Sequence, residues 1–155
     1  MKIVQKRKER EWDLYFLQMT KLVASKSKDT STKCGAVIVG PDNKVRSTGY
    51  NGLPRGCKYT AVRMKRPEKY FWFEHAERNA IYNTDISLKG ATIYCSWLPC
   101  MDCARAIIQS GITTVICPPI NYEDNIKNRE RWEPHHKRTI TLFRECGILL
   151  RFIRQ

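Results

Sequence analysis

No apolar run in this chain of 155 residues is long enough to cross a bilayer. The first eight residues are basic, but no apolar stretch follows them, so no secretory signal is expected. Together these absences predict a soluble, intracellular protein of the cytoplasm. No internal repeat and no low-complexity linker divides the chain, and its length suits one core better than two. A single domain over residues 1–155 is expected. Acidic residues are scarce: 15 Asp and Glu stand against 28 Lys and Arg, a net charge of +13. That balance suits nucleic acid, phosphorylated small molecules or an acidic surface, and does not choose among them. Cysteine is present seven times, an odd number, in a chain too large to need disulfide staples. In a reducing compartment such cysteines read as thiols and metal ligands.

Hydrophobic spacing gives the elements. Trp12, Tyr15, Phe16, Met19, Leu22 and Val23 recur at intervals of three and four, the mark of an amphipathic helix over 10–24. The apolar run 34–40 closes in the turn Pro41-Asp42-Asn43, and 44–51 returns as its hairpin partner. Residues 52–73 have no clear period. They mix Arg55, Lys58, Arg63, Lys65, Arg66 and Lys69 with Tyr59, Tyr70, Phe71, Trp72 and Phe73, and read as a long functional loop. A helix is expected from Glu74 to about Thr84, a strand at 91–97, and a helix opened by Pro99 and closed at Gly111. A strand at 112–117, a helix from Pro134 to Gly147 and a strand at 148–153 complete the order α-β-β-α-β-α-β-α-β. A leading hairpin followed by strand–helix alternation predicts an α/β fold. Its expected form is a three-layer α-β-α arrangement around one five-stranded mixed sheet, with helices on both faces. Right-handed crossovers make the last three strands parallel.

Two stretches carry chemistry. His75-Ala76-Glu77 and Pro99-Cys100-Met101-Asp102-Cys103 each fall at a helix start, where free N–H groups and partial positive charge favour thiolates and anions. His75, Cys100 and Cys103 make three ligands, which leaves a fourth tetrahedral position for water, as in a catalytic rather than a structural zinc site. Soft sulfur ligands favour zinc over magnesium or calcium. Glu77 would serve as proton acceptor and donor. Residues two apart on an ideal helix point to different sides, so spacing alone does not turn Glu77 toward the metal; the motif does. His-x-Glu with Pro-Cys-x-x-Cys is the general signature of zinc nucleobase deaminases.

The chain resembles one branch of that group, the deoxycytidylate (dCMP) deaminases. The matching stretches are 25–39 (SKSKDTSTKCGAVIV), 47–57 (STGYNGLPRGC), 75–81 (HAERNAI), 98–112 (LPCMDCARAIIQSGI) and 145–148 (ECGI). The resemblance implies a cytidine-deaminase-like fold. It also implies a zinc ion on His75, Cys100 and Cys103 that activates a water toward C4 of cytosine, with Glu77 as the proton shuttle. The product would be dUMP, a thymidylate precursor. By the same resemblance Asn51 binds the substrate sugar, Tyr122 packs on the pyrimidine, and the Ala76 N–H meets the base carbonyl. The phosphate meets the segment of Lys26 and Ser27, where Lys26 stands for the Arg of relatives and supplies a point charge instead of a fork. Gly49, Tyr50, Asn51 and Gly52 resemble an effector motif, which implies activation by dCTP with Mg²⁺, inhibition by dTTP and a homo-oligomer, usually a hexamer. Arg78 departs from relatives, which often carry an apolar residue there.

Blander readings cover the rest. Cys34, Cys95, Cys117 and Cys146 are expected as buried thiols, and His135 and His136 as solvated residues. Trp12, Phe16 and Met19 are expected in the core. Two other functions stay open at this point. One is editing of a base in nucleic acid, which the basic, aromatic loop would suit but the effector-like motif disfavours. The other is a non-catalytic nucleotide-binding protein with structural zinc, against which Glu77 argues.

Overall fold

The computed structural model describes residues 2–121 and 126–154. The elements follow the predicted order: α1 (Lys2–Ala24), β1 (Gly35–Val39), β2 (Val45–Tyr50), α2 (Lys69–Trp72), α3 (Ala76–Tyr82), β3 (Thr92–Cys95), α4 (Met101–Gln109), β4 (Thr114–Cys117), α5 (Ile126–Glu145) and β5 (Leu149–Phe152). The strands form one sheet in the order β2-β1-β3-β4-β5. β1 runs antiparallel to both neighbours, whereas β3, β4 and β5 are parallel, as the crossover rule requires.

Alternation along the strands sorts the core into two halves. Val37, Val39, Tyr94 and Ile116 face α1, where Phe16 and Leu17 are fully buried. Ala36, Ile38, Ile93, Cys95, Val115 and Cys117 face the other way, against Ala76 and Ala80 of α3, Ala104 and Ile107 of α4, and Phe143 of α5. Strand β1 is buried along its whole length because both its faces are covered.

Helix α3 is sewn to the open edge of the sheet. Asn79 and Asn83 donate to the carbonyls of Tyr50 (2.8 Å) and Thr48 (2.9 Å) on β2. Four helical residues rise about 6 Å and two strand residues about 6.6 Å, so the two ladders match. Ser47 donates to the Ala80 carbonyl at 2.6 Å on the same seam. Gly49 is what lets the helix in: a Cβ there would strike the Ala76 carbonyl oxygen and the Ala80 nitrogen. We expect Gly49→Ala to lose about 1–3 kcal/mol of stability, read as a lower urea midpoint, because backbone atoms give way less than side chains.

Four expectations are corrected. The helix expected from Pro134 begins at Ile126 and carries Pro134 inside it. The lost N–H bond there is outweighed by helix on both sides and by the burial of Thr139 and Phe143 below it. The 52–73 segment is not all loop, because Lys69–Trp72 turns once as α2. Trp12 is 46% exposed: it stacks on Phe16 from outside instead of entering the core. Cys146 is exposed, just beyond the end of α5, where the chain leaves the apolar face.

Candidate metal centre and active site

The three donors come together at the starts of two helices, α3 and α4. Cys100 and Cys103 lie on the turn that follows β3 into α4, and His75 precedes α3. Their ligand atoms all lie within 4.8 Å of one another. His75 Nδ1 is 3.4 Å from Cys100 Sγ and 3.5 Å from Cys103 Sγ. Gly111, at φ 82°, closes α4 in the left-handed cap expected of it and returns the chain to β4.

The facing of Glu77, which spacing could not supply, has a backbone reason. His75 is the N-cap of α3, with φ −82° and ψ 154°. It is extended, so the angle between residues two apart on a helix does not apply to it. Glu77 Oε2 therefore reaches 3.5 Å from Cys103 Sγ, across the same cluster that His75 enters. Cys100 is likewise the extended N-cap of α4, which turns its sulfur to the side that Cys103 takes within the helix.

The charges at the cluster suit a cation. The Cys100 thiol is held well below its ordinary value, chiefly by its hydrogen bond with Cys103; burial opposes this and His75 assists. The same contact and burial push Cys103 far up. The pair gives up one proton readily and holds the second, and a divalent ion is what allows both sulfurs to be thiolates. His75 is held above its ordinary value, first by its hydrogen bond with Cys100 and against burial. Burial raises Glu77, with His75 opposing. One imidazole and two thiols with a buried carboxylate beside them fit zinc, and oxygen-seeking ions poorly.

Beneath this cluster lie Cys95 and Cys117, both fully buried, and half-buried Cys34. Burial and the neighbouring Glu77 push Cys34 and Cys117 up to about 12, so they are inert thiols. Ala76 is buried and is the first residue of α3, where its N–H has no acceptor within the helix.

Asn51 is buried with a fully occupied amide nitrogen: Nδ2 donates to Thr32 O (2.9 Å) and Asp29 Oδ2 (3.3 Å). Its Oδ1 accepts from the Cys34 N–H at 2.8 Å. Ser27, also buried, donates to the Asn51 carbonyl at 2.8 Å, whereas Lys26 is exposed. Gly49 is spent on packing α3, and Gly52 exchanges two backbone hydrogen bonds with Glu74, the residue before His75. Tyr50 is 40% exposed, and its side chain is the most accessible of that stretch. Tyr122 lies outside the described residues.

Sequence reasoning missed Asp29 as a site residue and took Lys69 for a loop charge. The two form a buried ion pair, Nζ to Oδ2, at 2.5 Å. It also missed the strap in which Arg78 pairs with Glu74 and approaches Asp102 at 3.8 Å, joining α3 to the turn between the two cysteines. A helical i,i+4 spacing could have suggested Arg78 with Glu74; no local pattern marks Asp29 with Lys69. Loop cations also cover loop aromatics. Lys28 lies 4.3 Å above the ring of Tyr59, and Arg63 lies 3.9 Å above that of Trp72.

A three-layer sheet carrying His-x-Glu and Pro-Cys-x-x-Cys at one pair of helix starts defines the class: a zinc-site deaminase fold. The family model for the cytidine and deoxycytidylate deaminase zinc-binding region matches residues 10–118, and the chain belongs to that family. Among curated relatives, deoxycytidylate deaminase of Mus musculus is 40% identical over 122 residues, covering 74% of this chain and 68% of the relative. An uncharacterized deaminase of Aliivibrio fischeri is 39% identical over 138 residues, covering 89% and 90%. The dCMP deaminase of cyanophage S-TIM5, solved in complex with dCMP and dUMP, superposes with a TM-score of 0.71 at 21% identity, covering 92% of this chain and 97% of that one. At that identity the superposition speaks for the fold. Among the described residues no helix is long and apolar enough to cross a membrane.

Proposed function

We propose that the chain hydrolyses dCMP to dUMP and ammonia. One observation carries this reading: a buried carboxylate, Glu77, stands 3.5 Å from a sulfur of a three-donor metal site. A site built only to hold zinc fills the fourth position with protein and has no use for a proton carrier. The name of the 40% identical relative from Mus musculus, deoxycytidylate deaminase, supports the choice of substrate.

A zinc ion held by His75, Cys100 and Cys103 would supply a water whose pKa is lowered to about 7. The chain's own groups do the rest. Glu77 takes a proton at its carboxylate as water attacks C4. It returns the proton to N3, then carries the remaining proton of the C4 hydroxyl to the amino group, which leaves as ammonia, so the C4–N bond breaks and the new C4–O bond becomes a carbonyl. The Ala76 N–H holds the base carbonyl. Asn51 meets the sugar, Tyr122 the face of the ring, and Lys26 with Ser27 the phosphate.

The reading extends to control. The segment Gly49, Tyr50, Asn51 and Gly52 would bind a nucleoside triphosphate, with dCTP and Mg²⁺ activating and dTTP inhibiting, in a homo-oligomer, a hexamer by family habit. Because Tyr50 and Gly52 are hydrogen-bonded to α3 and to Glu74, a ligand at this segment acts on the element that carries His75 and Glu77. The product would feed thymidylate synthesis.

The test follows the ultraviolet absorbance of dCMP and of deoxycytidine with zinc-loaded protein, with and without dCTP and Mg²⁺. Loss of the cytosine signal from dCMP but not from deoxycytidine is expected. A zinc-replete protein that leaves dCMP intact even with dCTP present would sink the reading. A response flat to dCTP and dTTP would sink the regulatory part alone. Dialysis against a chelator should abolish turnover, and zinc alone should restore it; activity untouched by complete metal removal would refute the metal's part.

A further inference from the structure

Arg78 stands at the centre of the strap between α3 and α4, and both ends of that strap lie beside metal donors. Glu74 Oε1 accepts from Arg78 Nε at 2.6 Å and also takes Nη2 of the same guanidinium. The same oxygen accepts from the His75 N–H at 2.8 Å. One carboxylate oxygen therefore fixes the guanidinium and the backbone of the first donor together. Glu74 is itself pinned by two backbone hydrogen bonds to Gly52, at 2.7 and 3.1 Å. From this anchor Arg78 Nη1 approaches Asp102 Oδ2 at 3.8 Å, on the turn between Cys100 and Cys103. The guanidinium thus bridges two halves of a donor set in which His75 and Cys100 stand 25 residues apart in the chain.

Asp102 is 62% exposed, so the outer pair adds little to folding by itself. Its placement gives it another use. Helix geometry sets Cys103 relative to Asp102, but not the distance of either from α3. A planar fork with Nε and Nη2 on Glu74 leaves Nη1 to span that distance, which the single ammonium of a lysine could not do from the same anchor. Burial works against the Arg78 charge, yet the Glu74 hydrogen bond holds it well above its ordinary value, and the charges of Cys103 and Cys100 add to this. The fork therefore stays charged.

We propose that Arg78 is a positioning residue that fastens the start of α3 to the start of α4 and so makes the donor set a tighter zinc site. This deepens the functional reading above; it rests on the zinc site and not on the choice of substrate. A site whose donors are already set loses less freedom when the ion binds. Groups one step outside a metal's ligands are worth about 10- to 100-fold in its affinity.

The test titrates metal-free protein with zinc in competition with a chromophoric chelator. Arg78→Met should bind zinc about tenfold or more weakly than the wild type. Arg78→Lys should be nearly as weak, because it keeps the charge and loses the fork. A role in the fold alone would lower the thermal midpoint of the metal-free protein and leave the zinc affinity of the folded protein unchanged, so both are read on each variant. Should the Arg78 variants not fold, Asp102→Asn cuts the outer limb at an exposed position. It should weaken zinc about threefold, the scale of an exposed ion pair. In the Arg78→Met background it should add nothing, since the limb it cuts is already gone. Wild-type affinity in any of the three single variants, or losses that simply add in the double variant, overturns the positioning role. A wild type that binds no zinc overturns the metal reading instead.

Discussion

Glu77→Gln should lower kcat on dCMP by about 10³- to 10⁴-fold while the protein keeps one zinc per chain. The magnitude is that of a general acid–base group, taken near its upper end because in the proposed reaction the same carboxylate would serve water, N3 and the leaving amine in turn. Gln keeps the shape and can still hydrogen-bond at that place, but it cannot carry a proton. Glu77 is not among the three clustered donors, so metal content should not follow activity down. The two measurements are turnover by absorbance and zinc by atomic spectroscopy on the same preparation. A Glu77→Gln protein within tenfold of wild type would remove Glu77 from the chemistry. One that had lost its zinc would make Glu77 a ligand.

Cys103→Ala should lose both zinc and turnover, and Cys117→Ala should lose neither. Both thiols are fully buried, Cys103 in α4 and Cys117 at the end of β4, so volume and burial are matched. Each truncation should cost roughly 0.5–3 kcal/mol through packing. They differ in company. Cys103 lies 3.5 Å from His75 Nδ1 within the donor cluster, whereas Cys117 ends β4 below it with its thiol pushed up to about 12. Loss of the ion should add to the Cys103→Ala defect, since metal-binding energy is part of the folding energy of the loaded protein. That added part appears as a thermal shift on zinc addition in the wild type and in Cys117→Ala, but not in Cys103→Ala. Equal zinc content in the two variants would refute the assignment of Cys103 as a ligand.

Much of the fold is legible because it is periodic or punctuated. The apolar run and turn through 34–51, the helical stripe through 10–24, Pro99 before α4 and Gly111 after it are local signals. Pro134 misled for the same reason. A local rule opens a helix there, yet α5 already runs from Ile126 and carries Pro134 inside it, with Thr139 and Phe143 buried beyond. Trp12 and Cys146 misled similarly: each sits near an apolar stripe, but the stripe's edge is set by how far the neighbouring layer extends.

For the site, the residue types and spacings in the chain marked the three clustered donors, His75 with Cys100 and Cys103, and the buried carboxylate beside them, Glu77. A three-donor cluster of nitrogen and sulfur names its chemistry wherever it folds. Tertiary structure alone decided the facing of Glu77, through an extended backbone at His75 that no residue count foretells. It alone gave Gly49 the task of admitting α3. It alone brought Lys69 to Asp29 across forty residues. A lysine in a basic loop and an aspartate in a turn are ordinary surface residues in the sequence. Burial made them partners, because charge removed from water must find its opposite within hydrogen-bond reach.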